Sequence, residues 1–161
     1  MRHRTRISRR RTLGLLGAAA LAAGRLPTPP AAAAPTVGVH EAVGDALRRL
    51  FGDRPIADGT GVVRLDVPAI AENGALVPVT VEVASPMTAR DWVRHVYLIA
   101  DRNRIPVVLR ATLTPEAGQA VVGATIRLGE TGDVRAIVER SDGALLQVKR
   151  GVRVTVSGCG G

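Results

Sequence analysis

With 161 residues the chain has single-domain length, enough for one sizeable hydrophobic core. Phe51, Trp92 and Tyr97 are its only aromatics, so that core must come from valine, leucine, isoleucine and alanine, and the β-branched share leans toward strands. The formal charge of +8 belongs to the N-terminal stretch: residues 1–34 hold seven arginines and no acid, whereas residues 35–161 hold 15 Lys+Arg against 14 Asp+Glu, a balance of +1 that argues against binding a phosphate backbone.

In chain order, the arginines up to Arg11 precede an apolar run, Leu13 to Ala23, that is too short to span a bilayer; proline-rich sequence and Ala31 to Ala34 follow. This pattern predicts an export signal over residues 1–34, cleaved after Ala33 or Ala34. Ser8-Arg9-Arg10-Arg11-Thr12-Leu13 resembles the twin-arginine pattern, with Thr12 where phenylalanine is usual. An ordinary signal with surplus arginine is the alternative. Either route leads to an extracytoplasmic protein with no membrane span after cleavage.

His40 to Phe51 reads as a short amphipathic helix, with Val43, Ala46, Leu47 and Leu50 at helical spacing and Gly52 as its stop. It is expected to cover one edge or end of the fold. From Gly61 the period becomes twofold. Val63, Leu65 and Val67 alternate with Arg64 and Asp66, and Val77, Val79, Val81 and Val83 alternate with Pro78, Thr80 and Glu82. Between these strands Asn73-Gly74 is expected to supply the positive φ of a tight turn. Pro78, which cannot donate to a ladder, predicts an edge position for its strand.

Further strands are predicted over residues 93–100, 106–113, 120–128, 133–140, 144–149 and 152–157. Turn chemistry at residues 101–103, 115–118, 130–132 and 141–143 separates the first five. Residues 35–156 therefore read as an all-β domain, an immunoglobulin-like antiparallel β-sandwich with a short N-terminal helix, followed by a flexible C-terminal arm over residues 157–161.

That arm, Ser157-Gly158-Cys159-Gly160-Gly161, carries the only cysteine. Flanking glycines leave the sulfur unshielded and the backbone free. In an exported chain a lone cysteine makes no internal disulfide, so it is an intermolecular partner or a free reactive thiol. A prenylation box would need three residues after the cysteine, and two follow. Elsewhere the acids are scattered, and His40, His95 and Cys159 match no metal-ligand spacing, so neither metal nor resident cofactor is expected. His95, on an alternating strand, reads as a partly buried or surface histidine. No base lies near Cys159 in sequence, and an unperturbed thiol of pKa about 8.5 is only slightly ionised near neutrality. A mobile, unactivated thiol suits a substrate-carrying arm presented to other enzymes. Five extended residues reach about 17 Å.

Pro68 to Val79, which contains Ala71-Glu72-Asn73-Gly74 and Val77-Pro78-Val79, resembles the AENG-x-x-VPV segment of the SoxY family of sulfur carriers. The terminal Ser157-Gly158-Cys159-Gly160-Gly161 resembles that family's GGCGG, with Ser157 for the first glycine. Residues 125–131 and 141–143 are also similar to its later strands. The resemblance implies a periplasmic, non-catalytic carrier that pairs with a SoxZ-like companion and holds thiosulfate-derived intermediates on Cys159. A SoxAX-like haem enzyme would load it, a SoxB-like hydrolase would release sulfate, and a sulfane dehydrogenase could oxidise what remains. Two other readings stay open: an exported binding module whose cysteine only links chains by a disulfide, and a thiocarboxylate carrier using Gly160-Gly161.

Overall fold

The computed structural model describes residues 38–156. The expected export leader, residues 1–34, and the expected arm, with Ser157, Gly158, Cys159, Gly160 and Gly161, lie outside them.

One helix, α1 (Val43–Phe51), precedes nine strands: β1 (Ile56–Asp58), β2 (Val63–Asp66), β3 (Ile70–Ala71), β4 (Val77–Val83), β5 (Val93–Ala100), β6 (Val107–Thr112), β7 (Ala120–Ile126), β8 (Gly132–Arg140) and β9 (Leu145–Val154). The larger sheet runs β1-β9-β8-β5-β6, with β3 also on β9; the smaller runs β2-β4-β7. The sandwich predicted from alternation is present. Val63 and Leu65 of β2 and Val77, Val79, Val81 and Val83 of β4 are buried, facing Val96 and Leu98 of β5, Val134, Ala136 and Val138 of β8, and Val148 and Val152 of β9.

The structure corrects several expectations. The helix lies on neither edge nor end. Phe51, with Val43, Leu47 and Leu50, packs on Tyr97 and Ile99 of β5, Ile137 of β8 and Leu145 of β9, so α1 covers the outer face of the larger sheet. It begins at Val43 rather than His40, and Gly52 ends it as expected, at φ 60° with its N–H on the Arg48 carbonyl at 2.8 Å. The sheets are not wholly antiparallel: β1 and β3 both run parallel to β9. The two C-terminal strands predicted over 144–149 and 152–157 form one continuous strand, because Gly151 pairs with Asp133 inside an unbroken β8–β9 ladder.

Gly74 is not among the positive-φ glycines. Asn73 makes the turn instead: its Oδ1 accepts from the Ala75 N–H at 2.9 Å. The strand containing Pro78 is central in its sheet, flanked by β2 and β7. The Ala84 N–H bonds the Val62 carbonyl, which makes the even-numbered positions of β4 the ones that bond toward β2. Pairing with β2 ends at Asp66↔Thr80, so the missing N–H of Pro78 faces a position where β2 has already stopped.

Candidate functional site

All five residues expected to form the carrier site, Ser157 to Gly161, lie beyond the last described residue, Val156. What the structure displays is their root, and that root is built by the Ala71-Glu72-Asn73-Gly74 segment. Strand β3 runs beside the end of β9: the Arg153 N–H donates to the Ala69 carbonyl at 2.9 Å and the Thr155 N–H to the Ala71 carbonyl at 3.0 Å. The chain then turns on Asn73, and the Gly74 N–H donates to the Val156 carbonyl at 2.8 Å. The Gly74 carbonyl in turn accepts the Leu128 N–H at 2.7 Å, joining the turn to the exit of β7.

Two threonine hydroxyls complete the clamp. Thr155 Oγ1 donates to the Glu72 carbonyl at 3.1 Å, and on the other side of β9 Thr131 Oγ1 accepts the Val154 N–H at 2.9 Å. Chain ends stay ordered only when tied down. Here each of Val154, Thr155 and Val156 holds a bond to a neighbouring segment. Around the root stand three exposed apolar side chains: Ile70 (57 %), Leu76 (68 %) and Val156 (62 %).

The clamp residues were not visible as a unit in the sequence. Thr131 reads there only as part of a turn, and its partner Val154 is distant along the chain. Asn73 carried the one usable signal, an Asx residue followed by glycine, although it supports a different turn from the one its sequence predicts.

Among the described residues no group of three or more His, Cys, Asp or Glu side chains could hold a metal ion. His95 is partly buried. The guanidinium of Arg110 lies 3.1 Å from its Nε2, and Thr112 Oγ1 lies 3.1 Å from its Nδ1. Arginine only donates, so Nε2 accepts and the proton sits on Nδ1. Burial first, then the Arg110 charge, pushes the imidazole below its usual pKa. A cleft of about 480 Å³ opens between β2 and β9, lined by Thr60, Val63, Arg64, Glu82, Val148 and Arg150. Its lining holds neither cysteine nor histidine and, being centred about six residues before the end of β9, it lies some 20 Å along that strand from the Val156 end. No described helix is long and apolar enough to cross a membrane.

The family model described as "Sulfur oxidation protein SoxY" matches residues 47–159. No curated protein matches the chain significantly. Among solved structures, the sulfur carrier protein SoxY from Chlorobium limicola f thiosulfatophilum aligns with a TM-score of 0.58 and 29 % identity, over 70 % of this chain and 96 % of that one. The superoxide reductase (neelaredoxin) from Ignicoccus hospitalis aligns with a TM-score of 0.51 and 18 % identity, over 58 % and 80 % of the two chains, a likeness of fold alone. The family match covers most of the chain and reaches Cys159 itself, and a solved sulfur carrier of that family shares the fold: the chain belongs to the SoxY family of sulfur oxidation proteins.

Proposed function

We propose that the protein is a periplasmic carrier that holds thiosulfate-derived intermediates covalently on Cys159 and presents them to the enzymes of thiosulfate oxidation. The observation that carries this reading is the clamp at the root of the arm. The segment most similar to the family in the body of the chain, residues 71–74, holds the last described residue, three positions before the only cysteine. A rooted strand that leads into Ser157-Gly158-Cys159-Gly160-Gly161 gives a thiol a fixed origin and a glycine-rich reach.

Loading is oxidative. The Cys159 thiol loses its proton, its sulfur bonds the terminal sulfur of thiosulfate, and two electrons pass to a haem enzyme of the SoxAX type. Water then cleaves the bond between the sulfane sulfur and the sulfonate, sulfate leaves, and a persulfide stays on Cys159. The carrier itself catalyses neither step and needs no resident cofactor. Residues 1–34 act as the export leader, by the twin-arginine route, and a SoxZ-like companion completes the carrier.

Mass spectrometry of the exported protein, incubated with thiosulfate and the haem oxidase, tests the reading. The expected result is a gain of one S–SO3 group on the peptide containing Cys159, absent in Cys159→Ser. An unmodified thiol in the presence of active oxidase would overturn it.

A further inference from the structure

Strand β9 pairs with β8 from Leu145 to Val152, but its other edge is covered only in part. Strand β1 pairs there up to Asp58↔Gln147, and β3 resumes at Ile70↔Arg153. Between them the chain leaves the edge at Gly59, whose N–H donates to the Gln147 carbonyl at 2.8 Å and where a Cβ would meet that oxygen at 3.2 Å. It crosses to the smaller sheet as β2 and comes back at Ala69, whose carbonyl accepts the Arg153 N–H at 2.9 Å. Since Gln147 and Arg153 bond on this edge, the odd-numbered Lys149 and Gly151 direct their N–H and C=O groups to it as well, into a stretch that neither β1 nor β3 pairs.

The cleft of about 480 Å³ opens at this detour. On β9, Val148 and Val152 face the core, and Arg150 shares their face, opposite Val134 in the register. Arg150 nevertheless stays exposed, because the detour leaves its position uncovered and the long side chain reaches water through the opening. Its Nη1 donates to the Lys149 carbonyl at 3.0 Å. Arg64 of β2 stands across the ladder from Glu82 without pairing with it, and among the described residues neither Arg64 nor Arg150 has a carboxylate partner. Two guanidiniums against the single carboxylate of Glu82 leave one positive charge in the lining, beside the buried apolar walls Val63, Val83 and Val148.

We propose that this cleft binds a small organic monoanion, with a carboxylate or sulfonate head on Arg64 and Arg150 and a short apolar body against Val63, Val83 and Val148. A guanidinium fork matches the paired oxygens of such a head, and the volume falls in the range of small-molecule sites. An inorganic dianion fits less well: it has nothing to set on the valines, and Glu82 opposes its second charge. Gly151, with no side chain at the strand edge, leaves backbone donors open to close approach beside Arg150. The site is separate from the arm root at the far end of β9.

Amide chemical-shift titration of the exported chain, carrying Cys159→Ser so that no disulfide links copies, tests the site. Hexanesulfonate and hexanoate serve as probes, with inorganic sulfate and hexanol as the head and the body alone. Saturable shifts are expected at Val63, Val148, Arg150 and Gly151 with both organic anions, and about tenfold weaker binding of sulfate and of hexanol. Arg64→Gln and Arg150→Gln, both at exposed positions, should each weaken hexanesulfonate about tenfold while the amides of β5 and β8 keep their shifts, and Glu82→Gln should tighten it. The proposal is overturned by the absence of saturable shifts, by shifts centred on the exposed Ile70 and Leu76 instead, by sulfate binding as tightly as hexanesulfonate, or by an affinity that both arginine variants leave unchanged.

Discussion

The Gly74 N–H donates to the Val156 carbonyl at 2.8 Å, across 82 residues of sequence. That bond ties the Ala71-Glu72-Asn73-Gly74 segment to the last described residue before Ser157, so the first stretch of family resemblance holds the strand end that leads toward the second. That hold depends on Asn73, whose side chain closes the turn through Ala75.

Asn73→Ala should therefore loosen the root of the arm while sparing the sandwich. Losing one hydrogen bond in an exposed turn is expected to cost about 1 kcal/mol, read as a lower urea midpoint with an unchanged slope. Amide exchange should accelerate at Ala75 and Thr155 and stay slow across β5 and β8. Unchanged exchange at Thr155 would mean that the turn does not hold the strand.

How much of this could be read in advance differs from element to element. The strict alternation of Val77 to Val83 appears as alternating burial, because β4 has core on one side and solvent on the other. In β5 the run Val96 to Ala100 is buried at every position, since the sandwich takes one face and α1 the other. That unbroken apolar run was the available sign that the helix lies on a sheet face. Strands β1 and β3 had no such sign, being too short for any period and paired parallel to a strand far along the chain. For the site, Cys159 and its glycines lie outside the described residues, and the Thr131–Val154 and Gly74–Val156 bonds at the strand end before them exist only once the sheets have formed.

Asn103 is a buried polar side chain at a turn that the sequence marks only as a break between strands. Its Nδ2 donates to the Arg127 carbonyl at 2.7 Å, and its Oδ1 accepts the Gly129 N–H at 2.9 Å. Asn103→Asp keeps the acceptor but sets a carboxylate against the Arg127 carbonyl, and is expected to cost roughly 2 kcal/mol near neutrality. Protonation restores the donor, so the folded-state pKa of the new carboxyl is raised. The deficit is full above that raised value and shrinks as pH falls through it toward the unfolded value of about 3.9. Urea midpoints measured against pH, with Asn103→Ala as a control whose deficit relative to the parent is constant, check the sign.

His95 gives a pH dependence of the opposite sense. Its imidazole is held neutral by burial and by Arg110, with Arg94 acting in the same direction and Glu139 opposing. A histidine whose folded pKa is lowered binds fewer protons folded than unfolded once pH drops below about 6.5. Stability should fall with pH from there down to the folded pKa and then level off. His95→Gln should remove that part of the slope, and an NMR titration of the ring should place its midpoint below that of a free histidine. An equal slope in parent and variant would exclude His95 as its source.

Phe51 and Tyr97 meet edge to face, with ring centroids 5.0 Å apart and planes at 85°. Phe51 is 3 % exposed and is the largest side chain that α1 places on the sheet. A nine-residue helix is marginal by itself, so its order depends on this packing. Phe51→Ala removes the contact and leaves a cavity over Tyr97, Ile99 and Ile137, at an expected cost of about 3 kcal/mol. The loss should be local: amides of α1 lose protection while those of β4, on the far side of the sandwich, keep theirs at concentrations of urea where the domain remains folded. Leu98→Ala, which opens the central core at a comparable cost, should lower protection in both sheets together. If Phe51→Ala unfolds α1 and β4 in a single transition, the helix is part of the same cooperative unit as the sandwich rather than a layer laid upon it.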